Sequence, residues 1–182
     1  ADVIYFTGGN SFFLMDQLRK TGTDELLKKE LSKGKLMIGE SAGAIICAPS
    51  IQYIEQMDEK PEDYSQEDDA GLNLIDFYVL PHFLTAPFKK VTEKLMTEFS
   101  DLNLCPINNR QGIVIDGEGS KFICKDYFEN SSLSNYQFAF TSCKLTHFKR
   151  SASAGRFTFQ GGVQHGNHAP DAPAHRQRPH GG

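Results

Sequence analysis

The sequence lacks several features that define common classes of protein. Its 182 residues contain no apolar run long enough to cross a bilayer, so we expect no membrane association. The net charge is −4 and the basic residues form no stripe, so we expect no nucleic-acid partner. The four cysteines lie far apart without a Cys-x-x-Cys pair, which predicts thiols in a reducing compartment, here the cytoplasm, and no structural zinc.

The two ends of the chain also lack features of a complete domain. No Met precedes Ala1, and residues 3–6 already have the composition of a buried strand, so we expect either a signal peptide or whole earlier strands to be missing. Residues 151–182 contain no Lys, Glu, Leu, Ile, Met, Tyr or Cys, which predicts a disordered tail of foreign origin. The tail histidines are irregularly spaced and predict only incidental metal affinity: His165, His168, His175 and His180.

Apolar strands alternate with amphipathic helices in the first part of the chain. Strands are predicted at Val3 to Phe6 and at Leu36 to Ile38. Between them we predict one helix capped by Asn10 or Ser11 and another over residues 24–32. The spacing predicts the inward residues of these helices to be Phe13, Leu14, Leu18, Leu27 and Leu31. This order predicts an α/β fold with a parallel sheet covered by helices.

The later part of the chain is less regular. Residues 55–69 are crowded with acidic side chains and predict a solvated, mobile loop, with a lid over the site as the alternative. A buried strand at 77–80 precedes a helix that Pro87 opens. Further strands are predicted at 104–107, 112–115 and 121–124, with the last two joined as a hairpin. We therefore predict a catalytic domain over 1–128, an unassigned segment over 129–150 and the tail over 151–182.

The clearest motif is Gly39-Glu40-Ser41-Ala42-Gly43, which follows the apolar run of the second strand. Gly-x-Ser-x-Gly between a strand and a helix is typical of a nucleophile elbow, which exposes the serine at a sharp turn. The alternative is an ordinary Gly-Ser turn. Ser41 is therefore the candidate nucleophile.

A serine nucleophile requires a general base and donors for the oxyanion. Outside the tail only His82 and His147 can act as the base, and His82 directly follows a buried strand, where active sites of parallel α/β folds collect. Gly8-Gly9 follows the first strand and offers one backbone donor, while the amide of Ala42 offers the other.

Three motifs in this order carry a family resemblance: Gly-Gly-Asn at residues 8–10, Gly-Glu-Ser-Ala-Gly-Ala at 39–44 and Pro-His-Phe at 81–83. Over Asp2 to Cys124 the chain resembles peptidase E, the aspartyl dipeptidase family of serine peptidases, which includes cyanophycinase-type enzymes. The resemblance implies a fold like the class I glutamine amidotransferases, with a mainly parallel sheet between helical layers. It also implies a site that cleaves dipeptides after an N-terminal aspartate without a cofactor or metal.

Matching positions imply Ser41 as nucleophile, His82 as base, and Gly9 and Ala42 as oxyanion donors. The family's orienting carboxylate falls near Asn109, so either Asn109 or an acid from the 55–69 segment (Glu55 or Asp58) completes the site. The candidate substrate contacts are Asn10, Lys89 and Lys90.

Three functions remain open from the sequence. The first is a peptidase acting on small peptides, as a monomer or a homodimer. The second is an α/β-hydrolase-like esterase, in which the late His147 is the base. The third is a truncated homologue without activity.

Overall fold

The computed structural model describes residues 2–116, 121–125, 136–141, 148–150 and 157–159. The first half contains, in chain order, β1 (Val3–Phe6), α1 (Ser11–Lys20), α2 (Thr23–Leu31), β2 (Leu36–Glu40) and α3 (Ala42–Ile45), followed by a short 3₁₀ turn (Gln52–Ile54). The second half contains β3 (Tyr78–Leu80), α4 (Lys89–Glu98), β4 (Leu104–Pro106), β5 (Gln111–Asp116), β6 (Lys121–Lys125), β7 (Tyr136–Thr141), β8 (Phe148–Arg150) and β9 (Phe157–Phe159).

A five-stranded sheet has the order β1-β2-β7-β5-β6. β1, β2 and β7 are parallel to one another, whereas β5 is antiparallel to β7 and β6 is antiparallel to β5. The two helices α1 and α2 lie between β1 and β2 in the chain, as parallel neighbours require a crossover connection. The predicted α/β class is confirmed, and the sheet is parallel on the β1 side and antiparallel on the β6 side.

The predicted strands occur close to their expected positions, and the β5–β6 hairpin is confirmed by its antiparallel register. β7 was not predicted, although Tyr136, Phe138 and Phe140 alternate with period two, which is a strand signal. In the segment expected to be a tail, Phe157–Phe159 pairs with Phe148–Arg150. The other tail residues lie outside the described part of the chain.

The helices bury one face each against a shared core. α2 buries Leu27 and Leu31, as predicted, and α4 buries Leu95. In α1 the prediction was wrong for Phe13, whose side chain is 51% exposed, because Asn10 starts the helix so that Phe12, Met15 and Leu18 face inward. The Asn10 Oδ1 atom accepts a hydrogen bond from the Phe13 amide, with 2.9 Å between oxygen and nitrogen, which confirms the predicted cap.

The acidic segment at 55–69 is exposed but is attached to α1 by side-chain hydrogen bonds. The Asp58 carboxylate accepts hydrogen bonds from the Ser11 amide at 2.8 Å and the Ser11 hydroxyl at 2.6 Å. In the opposite direction, buried Asp16 accepts hydrogen bonds from the Ser65 hydroxyl at 2.8 Å and the Gln66 side-chain amide at 2.9 Å. These bonds give the segment a fixed path over α1, which differs from the loosely solvated loop that its composition predicted.

The turn at Ser41 depends on two glycines that let three elements approach closely. A β-carbon on Gly39 would overlap the carbonyl group of Gly43, and one on Gly43 would lie 2.5 Å from the Phe6 carbonyl oxygen. α3 therefore crosses directly over β1 and β2, with no side chain between the backbones. α3 ends at Ile45, and the carbonyls of Ile46 and Cys47 accept hydrogen bonds from the amides of Leu72 and Leu74 instead of continuing the helix.

We predict that Gly43→Ala lowers the free energy of unfolding by about 1–3 kcal/mol, because the added methyl group must displace the backbone of β1. Chemical denaturation monitored by circular dichroism measures this change. Ser100→Ala, at an exposed position, is the control and should change stability by less than about 0.5 kcal/mol. Equal stability of the two variants would show that β1 and α3 are not in close contact.

The contacts between Asp16 and the acidic segment lead to a prediction about the pH dependence of stability. Hydrogen bonds from Gln66 and Lys20 hold the pKa of Asp16 well below its usual range. The stabilisation from Asp16 is therefore complete above about pH 4, the usual carboxyl pKa, and is lost as the pH falls toward the depressed native value. Asp16→Asn should lower the melting temperature at neutral pH and flatten its decline below about pH 4. An unchanged acid profile, like that of the exposed control Asp101→Asn, would contradict this role.

Candidate active site

Ser41 lies at the bend between β2 and α3. Its backbone has φ 48° and ψ −108°, a conformation that non-glycine residues adopt rarely and that is typical of functional turns. Glu40 ends β2 and Ala42 begins α3, so the chain reverses direction at this one residue. The half-buried Ser41 side chain is presented at the carboxyl end of the parallel strands, as the elbow motif predicted.

A second pair of parallel strands brings a histidine and an amide to the same place. β3 pairs with β4 so that Leu80 lies opposite Pro106, and the pairing continues beyond both strands. The Ile107 amide donates to the Leu80 carbonyl at 2.9 Å, and the Phe83 amide donates to the Ile107 carbonyl at 3.0 Å. Because the two strands are parallel, His82 and Asn109 emerge at one edge although 27 residues separate them.

Three side chains form a continuous hydrogen-bonded relay. The Ser41 Oγ atom is 3.0 Å from His82 Nε2, and His82 Nδ1 is 2.7 Å from Asn109 Oδ1. An amide oxygen can only accept, so His82 Nδ1 carries the proton and the Nε2 lone pair faces the serine hydroxyl. The Phe88 ring stacks on the imidazole, with centroids 5.0 Å apart, and restricts its rotation.

The expected oxyanion loop lies against the serine. A β-carbon on Gly8 would be 3.4 Å from Ser41 Cβ and 3.9 Å from Ser41 Oγ, so a side chain here would lie in contact with the serine. Gly9 follows with φ +149°, and nothing lies within 4 Å of its β-carbon position. Ala42 is the first residue of α3, and the amide of a first helical residue has no acceptor within the helix.

Three other candidate residues have side-chain partners elsewhere than expected. Glu55 pairs with Lys60 at 2.7 Å, and Asp58 accepts hydrogen bonds from Ser11 at the start of α1. His82 Nδ1 forms its hydrogen bond with Asn109 and with neither acid. Asn10 uses its side chain for the α1 cap and for a bond to the Glu59 carbonyl. Three candidates remain. Lys89 and Lys90 are exposed at the start of α4, next to Phe88, and His147 lies outside the described residues.

One further nucleophile near the turn is chemically inert. Cys47 is completely buried behind α3, and its thiol donates to the Gly43 carbonyl at 3.4 Å. Burial raises the pKa of this thiol, so the reactive thiolate form does not compete with Ser41. In the described ranges no group of three or more His, Cys, Asp or Glu side chains is arranged to hold a metal ion. In these same ranges no helix is both long and apolar enough to span a membrane.

Sequence reasoning missed the contact between Phe88 and His82. Pro87 and Phe88 were assigned to the start of a helix, and α4 begins only at Lys89. An aromatic residue six positions after a candidate histidine is too common a pattern to indicate stacking. The turn through Leu84, whose φ is +56°, decides that the ring returns to the imidazole.

A serine at a strand–helix bend, paired with a histidine that an amide orients, defines a serine-hydrolase type of site. Comparison with known families gives the same class. The model of peptidase family S51 matches residues 1–123, and the chain belongs to that family. The family resemblance inferred from the three motifs is therefore confirmed.

Known relatives share the same part of the chain. An uncharacterized peptidase of Listeria monocytogenes is 46% identical over 118 residues, which are 64% of this chain and 58% of the relative. Peptidase E of Streptomyces coelicolor is 30% identical over 130 residues, 68% of this chain and 51% of the relative. The crystal structure of a candidate peptidase E protein from Listeria monocytogenes EGD-e superposes with a TM-score of 0.64 at 44% identity, covering 68% of this chain and 59% of that one. The chain thus spans between about half and six-tenths of these relatives.

We predict that Asn109 fixes the tautomer of His82. Asn109→Leu removes the acceptor at Nδ1, so the ring should populate the form with the proton on Nε2. Nitrogen-15 NMR of histidine-labelled protein distinguishes the two forms through their ring nitrogen shifts. Asn103→Leu, at an exposed position away from the ring, is the matched control and should keep the parent spectrum. A parent-like spectrum in Asn109→Leu would contradict the assignment.

Proposed function

We propose that this chain carries the active site of a serine peptidase that hydrolyses small peptides. The observation that carries the proposal is the relay from Ser41 through His82 to Asn109, with distances of 3.0 and 2.7 Å. Membership of a peptidase family favours an amide substrate over an ester. An esterase remains the second candidate chemistry, but its expected base, His147, lies outside the described residues.

The geometry suggests a mechanism of acyl transfer. His82 Nε2 accepts the proton of Ser41 Oγ as the hydroxyl oxygen attacks the scissile carbonyl carbon. The amides of Gly9 and Ala42 donate hydrogen bonds to the oxyanion, and the imidazolium then gives its proton to the leaving amine. A water molecule, deprotonated by His82 in the same way, attacks the acyl-serine and releases the acid. No step requires a metal ion or an organic cofactor.

The role of Asn109 differs from that of an aspartate at the same place. In chymotrypsin-like proteases an Asp-to-Asn change at this position lowers kcat about 10⁴-fold, chiefly because the histidine is held in the wrong tautomer. Here the amide oxygen faces Nδ1, so the tautomer is the productive one. What Asn109 lacks is the negative charge that stabilises the imidazolium, and the stacked Phe88 ring does not replace that charge.

Dipeptides with an N-terminal aspartate are the finer proposal for the substrate. The resemblance to the aspartyl dipeptidase family implies it, and a protein named peptidase E, from Streptomyces coelicolor, is among the relatives. A substrate carboxylate requires a nearby cation, and Lys89 and Lys90 are exposed at the start of α4, which lies beside His82 through Phe88. Asn10 can contact a substrate through its backbone, because its side chain is occupied by the helix cap. We place the protein in the cytoplasm, where the buried thiols of Cys47 and Cys105 stay reduced.

We predict that a fluorophosphonate probe labels Ser41 covalently. Such probes report an activated serine without requiring the correct substrate. Ser41→Ala should abolish labelling, and His82→Ala should slow it by at least about 10³-fold, because the hydroxyl loses its base. Intact-protein mass spectrometry measures both rates.

The control is Lys28→Ala, an exposed position on α2 that should label like the parent. Labelling that survives His82→Ala but is lost when His147 is replaced would support the esterase arrangement instead. A parent chain that melts cooperatively but does not label would show that the motifs persist here without the chemistry.

A further inference from the structure

A carboxylate that the proposed mechanism does not use lies beside the serine. Glu40 immediately precedes Ser41, and its Oε2 atom accepts a hydrogen bond from the Tyr5 hydroxyl at 2.6 Å. Tyr5 lies opposite Ile38 in the β1–β2 register, so Tyr5 and Glu40 are diagonal neighbours on one face of the sheet. The bond therefore fixes the carboxylate above the end of β2.

The second carboxylate oxygen points toward the oxyanion loop. Glu40 Oε1 lies 3.6 Å from the position that a β-carbon on Gly8 would occupy, and Ser41 Oγ lies 3.9 Å from the same point. The serine hydroxyl and the carboxylate thus border one small open surface over Gly8. A substrate whose carbonyl group enters the oxyanion loop must pass next to Glu40.

This carboxylate has no cation to neutralise it among the described residues. The Lys, Arg and His side chains of the described ranges form no ion pair with Glu40, whereas acids elsewhere, such as Glu30 and Asp69, are paired. Its hydrogen-bond donor is the hydroxyl of Tyr5, which brings no positive charge to the carboxylate. A carboxylate next to a reacting carbonyl favours a substrate that brings a positive charge of its own.

We propose that Glu40 binds the α-ammonium group of the substrate residue that carries the scissile carbonyl, so that the site selects peptides cleaved after a free N-terminal residue. The α-ammonium and the scissile carbonyl share one α-carbon, which matches the small separation of Glu40 and Ser41 over Gly8. At about pH 7 most of an α-amino group is protonated and can donate to the carboxylate. This inference rests on the proposed peptidase function and assigns it a specificity residue.

The experiment compares dipeptides of the form Xaa-Ala with free and with acetylated N-termini, on the parent, Glu40→Gln and Glu62→Gln. Mass spectrometry gives kcat/KM for each substrate, and the readout is the ratio of free to acetylated turnover within one protein. This ratio does not depend on the folded fraction. We expect the parent to prefer free dipeptides by at least about 10-fold, the size of a charge-assisted hydrogen bond, and Glu40→Gln to lose most of this preference. The exposed control Glu62→Gln should keep it.

Two outcomes would overturn the assignment: a parent that does not distinguish the two forms, or a Glu40→Gln variant that keeps the parent ratio. Fluorophosphonate labelling of the same samples separates this failure from failure of the peptidase function. A labelled parent with an unchanged ratio refutes only the role of Glu40. A folded but unlabelled parent refutes the peptidase function and the role of Glu40 together.

Discussion

The close approach of β1, β2 and α3 is the constraint on which the site depends. Gly39 and Gly43 have no room for a β-carbon, and this lets the backbone reverse at Ser41 in an unusual conformation. The same approach places Gly8 against the half-buried serine side chain, so one packing arrangement positions both the hydroxyl and the open surface beside it. The position of the Ser41 hydroxyl is therefore a consequence of contacts between the backbones of β1, β2 and α3.

The second half of the site comes from a separate pair of strands. β3 and β4 carry His82 and Asn109 beyond their carboxyl ends, and hydrogen bonds that continue past both strands keep the two loops in register. A neutral amide at the far end of the relay can orient the imidazole, but it adds no charge to the imidazolium. The Glu40 carboxylate lies at the edge of the site, beside Gly8.

The acidic segment illustrates how composition can mislead. Eight acids and one lysine within residues 55–69 predict repulsion and solvation. In the structure Asp58 accepts a hydrogen bond from Ser11 at the start of α1, while Asp16 of α1 accepts hydrogen bonds from Ser65 and Gln66. Each contact joins residues almost fifty positions apart, so no local pattern indicates it. These acids hold α1 and the loop together and do not take part in the proposed chemistry.

The sequence alone determined the features that depend on local chemistry. The elbow, the strands of β1 to β5, the hairpin and the family could all be predicted, because periodicity, glycine spacing and turn residues act over a few positions. Only the tertiary structure decided that Asn109, and neither Glu55 nor Asp58, contacts His82. It also decided that β7 lies beside β2 and that Glu40 faces Gly8. These are contacts between residues far apart in the chain, and their free energy depends on packing that no short stretch of sequence contains.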